Sequence, residues 1–175
     1  LCSHKMAGQI LRALIMSNII LWQPEKGDLI PASVKTPSQI SDYALQLSPK
    51  DKRQIVSAFE AGHFEMGINY LWGKTTTALK KELSAVGISL LGEMLGKADV
   101  DEDDDVEDFI TTKESIVLAE ELGIVSSTDA MRLKHTYELI NHFSRLELEE
   151  SEVEEIDESE AMASFKACVK AVLGR

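Results

Sequence analysis

The sequence predicts an all-α protein folded as a bundle of about five to seven helices. Apolar residues recur at three- and four-residue steps along most of the chain, which is the spacing of one face of an α-helix. The alternation of apolar and polar residues that marks a half-buried strand is found in no segment. Of the 175 residues, 44% are hydrophobic, which is enough to bury the core of one domain.

The chain is expected to divide into an N-terminal arm and a main body. Residues 7–22 predict a first, apolar helix, and three of the four prolines follow it at positions 24–37. We therefore expect residues 1–35 to form a helix and a proline-rich hinge. Residues 36–175 are expected to form the helical bundle domain.

Capping signals place the first helices of the main body. Thr36 and Pro37 predict a short helix that reaches Leu47. Ser48, followed three residues later by Asp51, predicts a capping box for the next helix.

Glycines divide the stretch that follows. The pattern at 50–95 predicts two long helices with a break or kink between Gly62 and Gly87, since glycine inside a helix costs about 1 kcal/mol relative to alanine.

The C-terminal helices also carry start and stop signals. Thr111 or Thr112 can cap a helix that Gly123 ends, and Ser126 starts the next one. The closing helix carries Cys168 on its apolar stripe, which predicts an unreactive core thiol.

Charge is distributed unevenly along the chain, whose formal net charge is −12. Residues 1–97 hold 11 Lys and Arg against 8 Asp and Glu, whereas residues 98–175 hold 7 against 22. An acidic surface repels phosphate, so nucleic acid is a possible partner that we do not favour. The N-terminal half offers a small basic face, predicted to consist of Lys50, Lys52, Arg53, Lys74, Lys80 and Lys81.

Cysteine usage and hydropathy predict a cytoplasmic protein. Cys2 and Cys168 make no disulfide framework, which fits a reducing compartment. No apolar run reaches the roughly 18 residues that cross a bilayer, so we expect no membrane partner. The longest run, 10–22, is interrupted by polar residues, and we expect a buried helix there rather than a signal peptide.

One acidic run invites a calcium interpretation. Asp99, Asp101 and Asp103 fall at the first ligand positions of a calcium-binding loop. Asp104 and Ile110 stand where that loop needs a glycine and a bidentate glutamate. The run therefore predicts a solvated loop rather than a metal site.

Two other patterns also fail as cofactor sites. His135 and His142 share a helical face with Glu138 between them, but that is a weak basis for a metal face. The segment 73–75 matches the end of a phosphate-binding loop, but Ile68 stands where the first glycine of that loop is required. We expect neither a cofactor nor a bound metal.

Residues 110–145 carry a resemblance to a family with known chemistry. They contain an amphipathic helix ending in LAEELGIV, a polar turn and a helix ending in an Asn-His cluster, before an acidic tail and a closing apolar helix. This order resembles the HEPN superfamily of small helical domains, and the likeness in helix order covers residues 54–174. The resemblance implies a domain that acts as a metal-independent RNase or as a partner module of one.

The residues at the family's motif positions differ from those that cleave RNA. In the family, an arginine and a histidine from two protomers meet across a dimer interface. Asn141 matches the family's asparagine, while Ile140 takes the place of the arginine and Arg145 that of the histidine. Isoleucine supplies no charge and arginine cannot give up its proton, so the resemblance implies a lost active site.

Three functions follow, of which we favour the first. It is a non-catalytic interaction or dimerisation module within a larger bacterial defence or regulatory protein. The second is a metal-independent endoribonuclease that uses Arg132, His135, His142 and Arg145. The third is an acidic helical regulator that binds a protein partner. In each case we expect a protein partner or self-association, with a dimer predicted from the family and from the apolar first helix.

Overall fold

The structure, a computed structural model, describes residues 30–97, 105–144 and 154–175. Through these parts the chain forms eight α-helices and no strand, which confirms the all-α prediction. The number exceeds five to seven because the stretch at 50–95 forms three helices instead of two, and because a further helix of four residues forms at Val106–Phe109. The helices are α1 (Pro37–Asp42), α2 (Pro49–Glu60), α3 (Phe64–Ser84), α4 (Ile88–Leu95), α5 (Val106–Phe109), α6 (Thr112–Glu121), α7 (Ser127–Phe143) and α8 (Glu158–Cys168), which continues as a π-helix (Val169–Leu173).

Helix α3 is the centre of the bundle. It contacts α2, α5, α6, α7, α8 and the π-helix, so most of the tertiary packing passes through it. Its apolar side chains recur at helical spacing and form one buried face. The fully buried members of that face are Ile68, Leu71, Leu79 and Leu83.

The closing helix α8 completes the core. The ring of Phe165 lies 5.0 Å from that of Phe59 on α2, centroid to centroid. Cys168 is also buried, and burial raises the pKa of its thiol to about 12. The thiol therefore stays protonated at neutral pH, and its predicted position in the core is confirmed.

Local capping sets the helix starts as predicted. Thr36, Ser48 and Thr111 each accept a hydrogen bond from the backbone N–H three residues on, and each forms a capping box. Ser126 caps α7 in the same way, with Asp129 as the donor of the N–H. These side chains satisfy N–H groups that the first turn of a helix leaves unpaired.

Two predicted helix boundaries are wrong. The stretch at 50–95 forms three helices, because Gly62 and Gly87 both adopt positive φ angles, +77° and +106°, and each ends a helix. The first helix of the main body ends at Asp42, well before Leu47. Beyond the helix, the backbone N–H of Gln46 donates to the carbonyl of Leu173, at 3.0 Å.

Some predicted elements lie outside the described residues. They include the first helix, at 7–22, and the acidic run at 99–104. Of the predicted hinge, Val34 is described, and it is buried in the core. None of the described helices combines the length and apolar character that crossing a bilayer requires.

Two glycines inside α3 predict opposite responses to alanine. A Cβ on Gly67 would lie 2.7 Å from the ring of Phe59, whereas one on Gly73 would meet nothing within 4 Å. We expect Gly67→Ala to lower the free energy of unfolding by about 1–2 kcal/mol, since overpacking outweighs the gain in helix propensity. Gly73→Ala should raise it by about 0.5–1 kcal/mol. Urea unfolding of both variants measures these changes in the free energy of unfolding. If both substitutions stabilise the protein, the close contact at Gly67 is contradicted.

Candidate functional site

The residues predicted for RNA cleavage lie on the outside of α7. Arg132, His135 and His142 are exposed, and Arg145 lies beyond the described part of the chain. The guanidinium of Arg132 pairs with Asp129 one turn earlier, at 3.1 Å. The two histidines are two turns apart, about 10 Å along the helix axis, and Arg132 lies one turn before His135.

Position 140, which the resemblance to HEPN domains aligns with the family's arginine, faces the core. Ile140 is 9% exposed and packs among the buried residues, while Asn141 beside it is exposed. A cation at position 140 would be desolvated there instead of meeting a phosphate.

Metal chemistry finds no support in the described ranges. They contain no group of three or more His, Cys, Asp or Glu side chains placed to hold an ion. The candidate calcium ligands Asp99, Asp101 and Asp103 lie outside those ranges.

The predicted basic face is only partly available to a ligand. Lys80 is buried, and its ammonium donates to the carbonyl and the carboxylate of Glu107, at 3.1 and 3.0 Å. Lys74 pairs with Asp51, at 3.0 Å. These two cations stabilise the fold, and Lys50 and Arg53 remain exposed at the N-terminal end of α2.

An open groove runs along the outside of the α2–α3 hairpin, and its volume is about 610 Å³. We call it the α2–α3 groove. Such a volume lies in the range of ligand-binding clefts. Its lining residues are Arg53, Gln54, Ser57 and Ala58 from α2, His63 from the connection, and Met66, Gly67 and Tyr70 from α3.

The α3 side of the groove combines a close helix contact at Gly67 with the exposed side chain of Met66. Gly67 has no Cβ, so the ring of Phe59 closes directly over its backbone, and Ala58 leaves space beside it. Met66 is 64% exposed, so most of its apolar surface is in contact with water. Methionine is flexible and polarisable, and these properties suit surfaces that adapt to a partner.

A hydrogen bond to Asp51 holds the side chain of Tyr70 in place at one end of the groove. The Tyr70 hydroxyl donates to Asp51 Oδ1 at 2.6 Å, and the Ser48 hydroxyl donates to Asp51 Oδ2 at 2.7 Å. These two hydrogen bonds, assisted by Lys74, hold the pKa of Asp51 well below its usual range. The same carboxylate raises the pKa of Tyr70, so the phenol stays neutral and anchored.

A second polar cluster joins Arg175 to Glu82 on α3. Arg175 Nη1 lies 4.0 Å from Glu82 Oε2 and donates to the carbonyl of Ile124. Burial raises the pKa of Glu82, whose Oε2 atom has no hydrogen-bond partner within the described residues. The cluster links α3 to the α6–α7 connection, so we assign it to the fold.

The α2–α3 groove was missed by the sequence reasoning. The helical pattern at 50–95 covers this segment, but it assigns no role to Met66. The usable signal was Gly67 beside aromatic residues, which indicates close approach of another element.

Comparisons with known protein families, curated proteins and solved structures find no match for this chain. The resemblance to the HEPN superfamily therefore stays a prediction that rests on the residues at 110–145 alone. Functional inference depends on the geometry of the groove and of α7.

Proposed function

We propose that this chain is a non-catalytic helical interaction module that binds a protein partner in the α2–α3 groove. The observation that carries the proposal is the open, largely apolar groove itself, with Met66 exposed on its wall. Exposed apolar surface is unfavourable in water, so a partner that covers the groove with its own apolar side chains would gain free energy by burying it.

The shape of the groove supports a helical partner. Its two walls are α2 and α3, which are joined by a short turn at Gly62 and His63. Two adjacent helices leave a furrow that accepts the apolar face of a third, as in other helix-in-groove complexes. Ala58 is small and leaves room for the side chains of that third helix, whereas the backbone of Gly67 is already covered by the ring of Phe59.

The family assignment is part of the proposal. The capped α6–α7 pair, ending at Gly123 and restarting at Ser126, has the order of elements that resembles HEPN domains. With Ile140 buried at the motif position, such a domain would act as a partner module rather than as an RNase. A place within a larger bacterial defence or regulatory protein, in the cytoplasm, rests on this resemblance alone.

A metal-independent RNase is the second candidate. It is favoured by the exposure of Arg132, His135 and His142 on one helix, since a second copy could bring its own α7 against them. Histidine titrates near neutral pH and is the usual acid and base of such chemistry.

We expect the purified protein to leave RNA intact. Single-stranded and structured RNA would be incubated with it in EDTA and followed by gel electrophoresis. The reason is that Ile140 and Arg145, at the positions that the resemblance aligns with the family's arginine and histidine, supply neither that cation nor that acid and base. Cleavage that disappears in both His142→Ala and Arg132→Ala would contradict the proposal and establish the RNase.

The interaction itself is tested by selection and mapping. A display library of amphipathic helical peptides would be selected against the protein, and the best binder titrated while methionine methyl resonances are recorded. Binding should shift the methyl signal of Met66 and leave that of Met131, which is 62% exposed on α7, unchanged. Selection that yields only binders shifting Met131, or no binder at all, would overturn the proposal.

A further inference from the structure

We infer that the occupant of the α2–α3 groove is an amphipathic partner helix that presents carboxylates at the Arg53 end of the groove. The inference rests on the proposed function and adds the chemistry and the direction of the partner. Three features of the groove carry it: its length, the sign of its charge and the unequal charge of its two ends.

The length of the groove limits the contact to about two helical turns. On α3 the lining runs from His63 to Tyr70, about 10 Å of helix at 1.5 Å per residue. Two turns of a partner helix place two or three apolar side chains on one face, at i, i+3 and i+4. These side chains would lie against Met66, Gly67 and Ala58.

The described residues that line the groove include no carboxylate, and the ionisable ones among them are Arg53 and His63 on opposite ends, together with the anchored Tyr70. Lys50 lies one turn before Arg53 on the same side of α2 and is exposed as well. In the described part of the chain neither Lys50 nor Arg53 forms an ion pair, whereas Lys74 nearby is held by Asp51. The Arg53 end therefore offers two cations to an incoming ligand.

The two ends of the groove are not equivalent. Beside His63, the exposed carboxylates Glu60 and Glu65 flank the turn between α2 and α3. They oppose an acidic group at that end, while Arg53 and Lys50 attract one at the other. A partner helix with carboxylates at one end is thus oriented as well as attracted.

Selection from the helix library tests the inference. Against the unchanged protein, recovered sequences should be enriched in Asp and Glu at one end of the helix. Against Arg53→Glu they should be enriched in Lys and Arg at that end. The matched control is Lys81→Glu, the same charge change at an exposed site on α3 about 16 Å from Tyr70 along the axis, which should leave the selection unchanged.

Affinities make the test quantitative. A selected acidic helix should bind Arg53→Glu about threefold to tenfold more weakly than it binds the unchanged protein. Binders that map to Met66 but show no charge preference and no response to Arg53→Glu would overturn this inference and leave the proposed function standing. A groove occupied by a second copy of the chain, seen as a dimer that Met66→Lys converts to a monomer, would also overturn it.

Discussion

Phe165→Ala is expected to lower the free energy of unfolding by about 3–5 kcal/mol. The side chain is fully buried, and its ring packs on Phe59, which in turn lies 6.0 Å from the ring of Phe64 at the start of α3. Truncation removes the apolar contact and leaves a cavity between α8 and the α2–α3 hairpin, where surrounding helices relax only in part.

Urea unfolding at neutral pH measures this loss. Met131→Ala is the matched control, since it removes a large apolar side chain that is mostly exposed, and should change the free energy of unfolding by no more than about 0.5 kcal/mol. Equal losses in the two variants would show that α8 is not packed on the hairpin as described.

Asp51→Ala is expected to lower the free energy of unfolding by about 2 kcal/mol. The carboxylate accepts a hydrogen bond from the backbone N–H of Ser48 at 3.2 Å, which completes the capping box of α2, and it also accepts from the Tyr70 hydroxyl. Removing it leaves the hydroxyl without this partner and Lys74 without its counter-ion. Water reaches part of the cluster, so the ion pair contributes less than the two hydrogen bonds.

The pH dependence of this loss has a definite sign. The pKa of Asp51 is lowered in the folded state, so its stabilisation is present above the ordinary carboxyl pKa near 4 and is lost as the pH falls through the lowered value. The difference in unfolding free energy between the unchanged protein and Asp51→Asn should therefore shrink below about pH 4. Urea unfolding at about pH 7 and pH 3 checks it; a difference that grows on acidification would contradict the assigned hydrogen bonds.

Local features of the sequence predict the starts of the helices well. Thr36, Ser48 and Thr111 each cap a backbone N–H only three residues away. Such a local interaction does not depend on the rest of the fold, so it can be predicted from the sequence alone. The apolar face of α3 is likewise predictable, because its apolar residues recur at helical spacing. The predicted burial of Cys168 followed from the same periodicity.

Features that depend on distant contacts were not predictable in this way. Helix α1 ends at Asp42, and the segment after it bonds through Gln46 to Leu173, a partner far along the chain. Lys80, predicted to belong to the basic face, instead pairs with Glu107, which is also distant in the sequence. Helices α2 and α3 pack closely where Gly67 meets the Phe59 ring, a contact that periodicity alone does not reveal.

The affinity of one selected helix for two variants tests the central claim most directly. Met66 and Met131 are exposed to nearly the same extent, 64% and 62%, but only Met66 lines the α2–α3 groove. Met66→Lys places a charge against the apolar face of the partner and should weaken binding at least about tenfold, while Met131→Lys should change it less than about twofold. If the two variants bind the helix equally well, as measured by calorimetry, the groove is not the binding site.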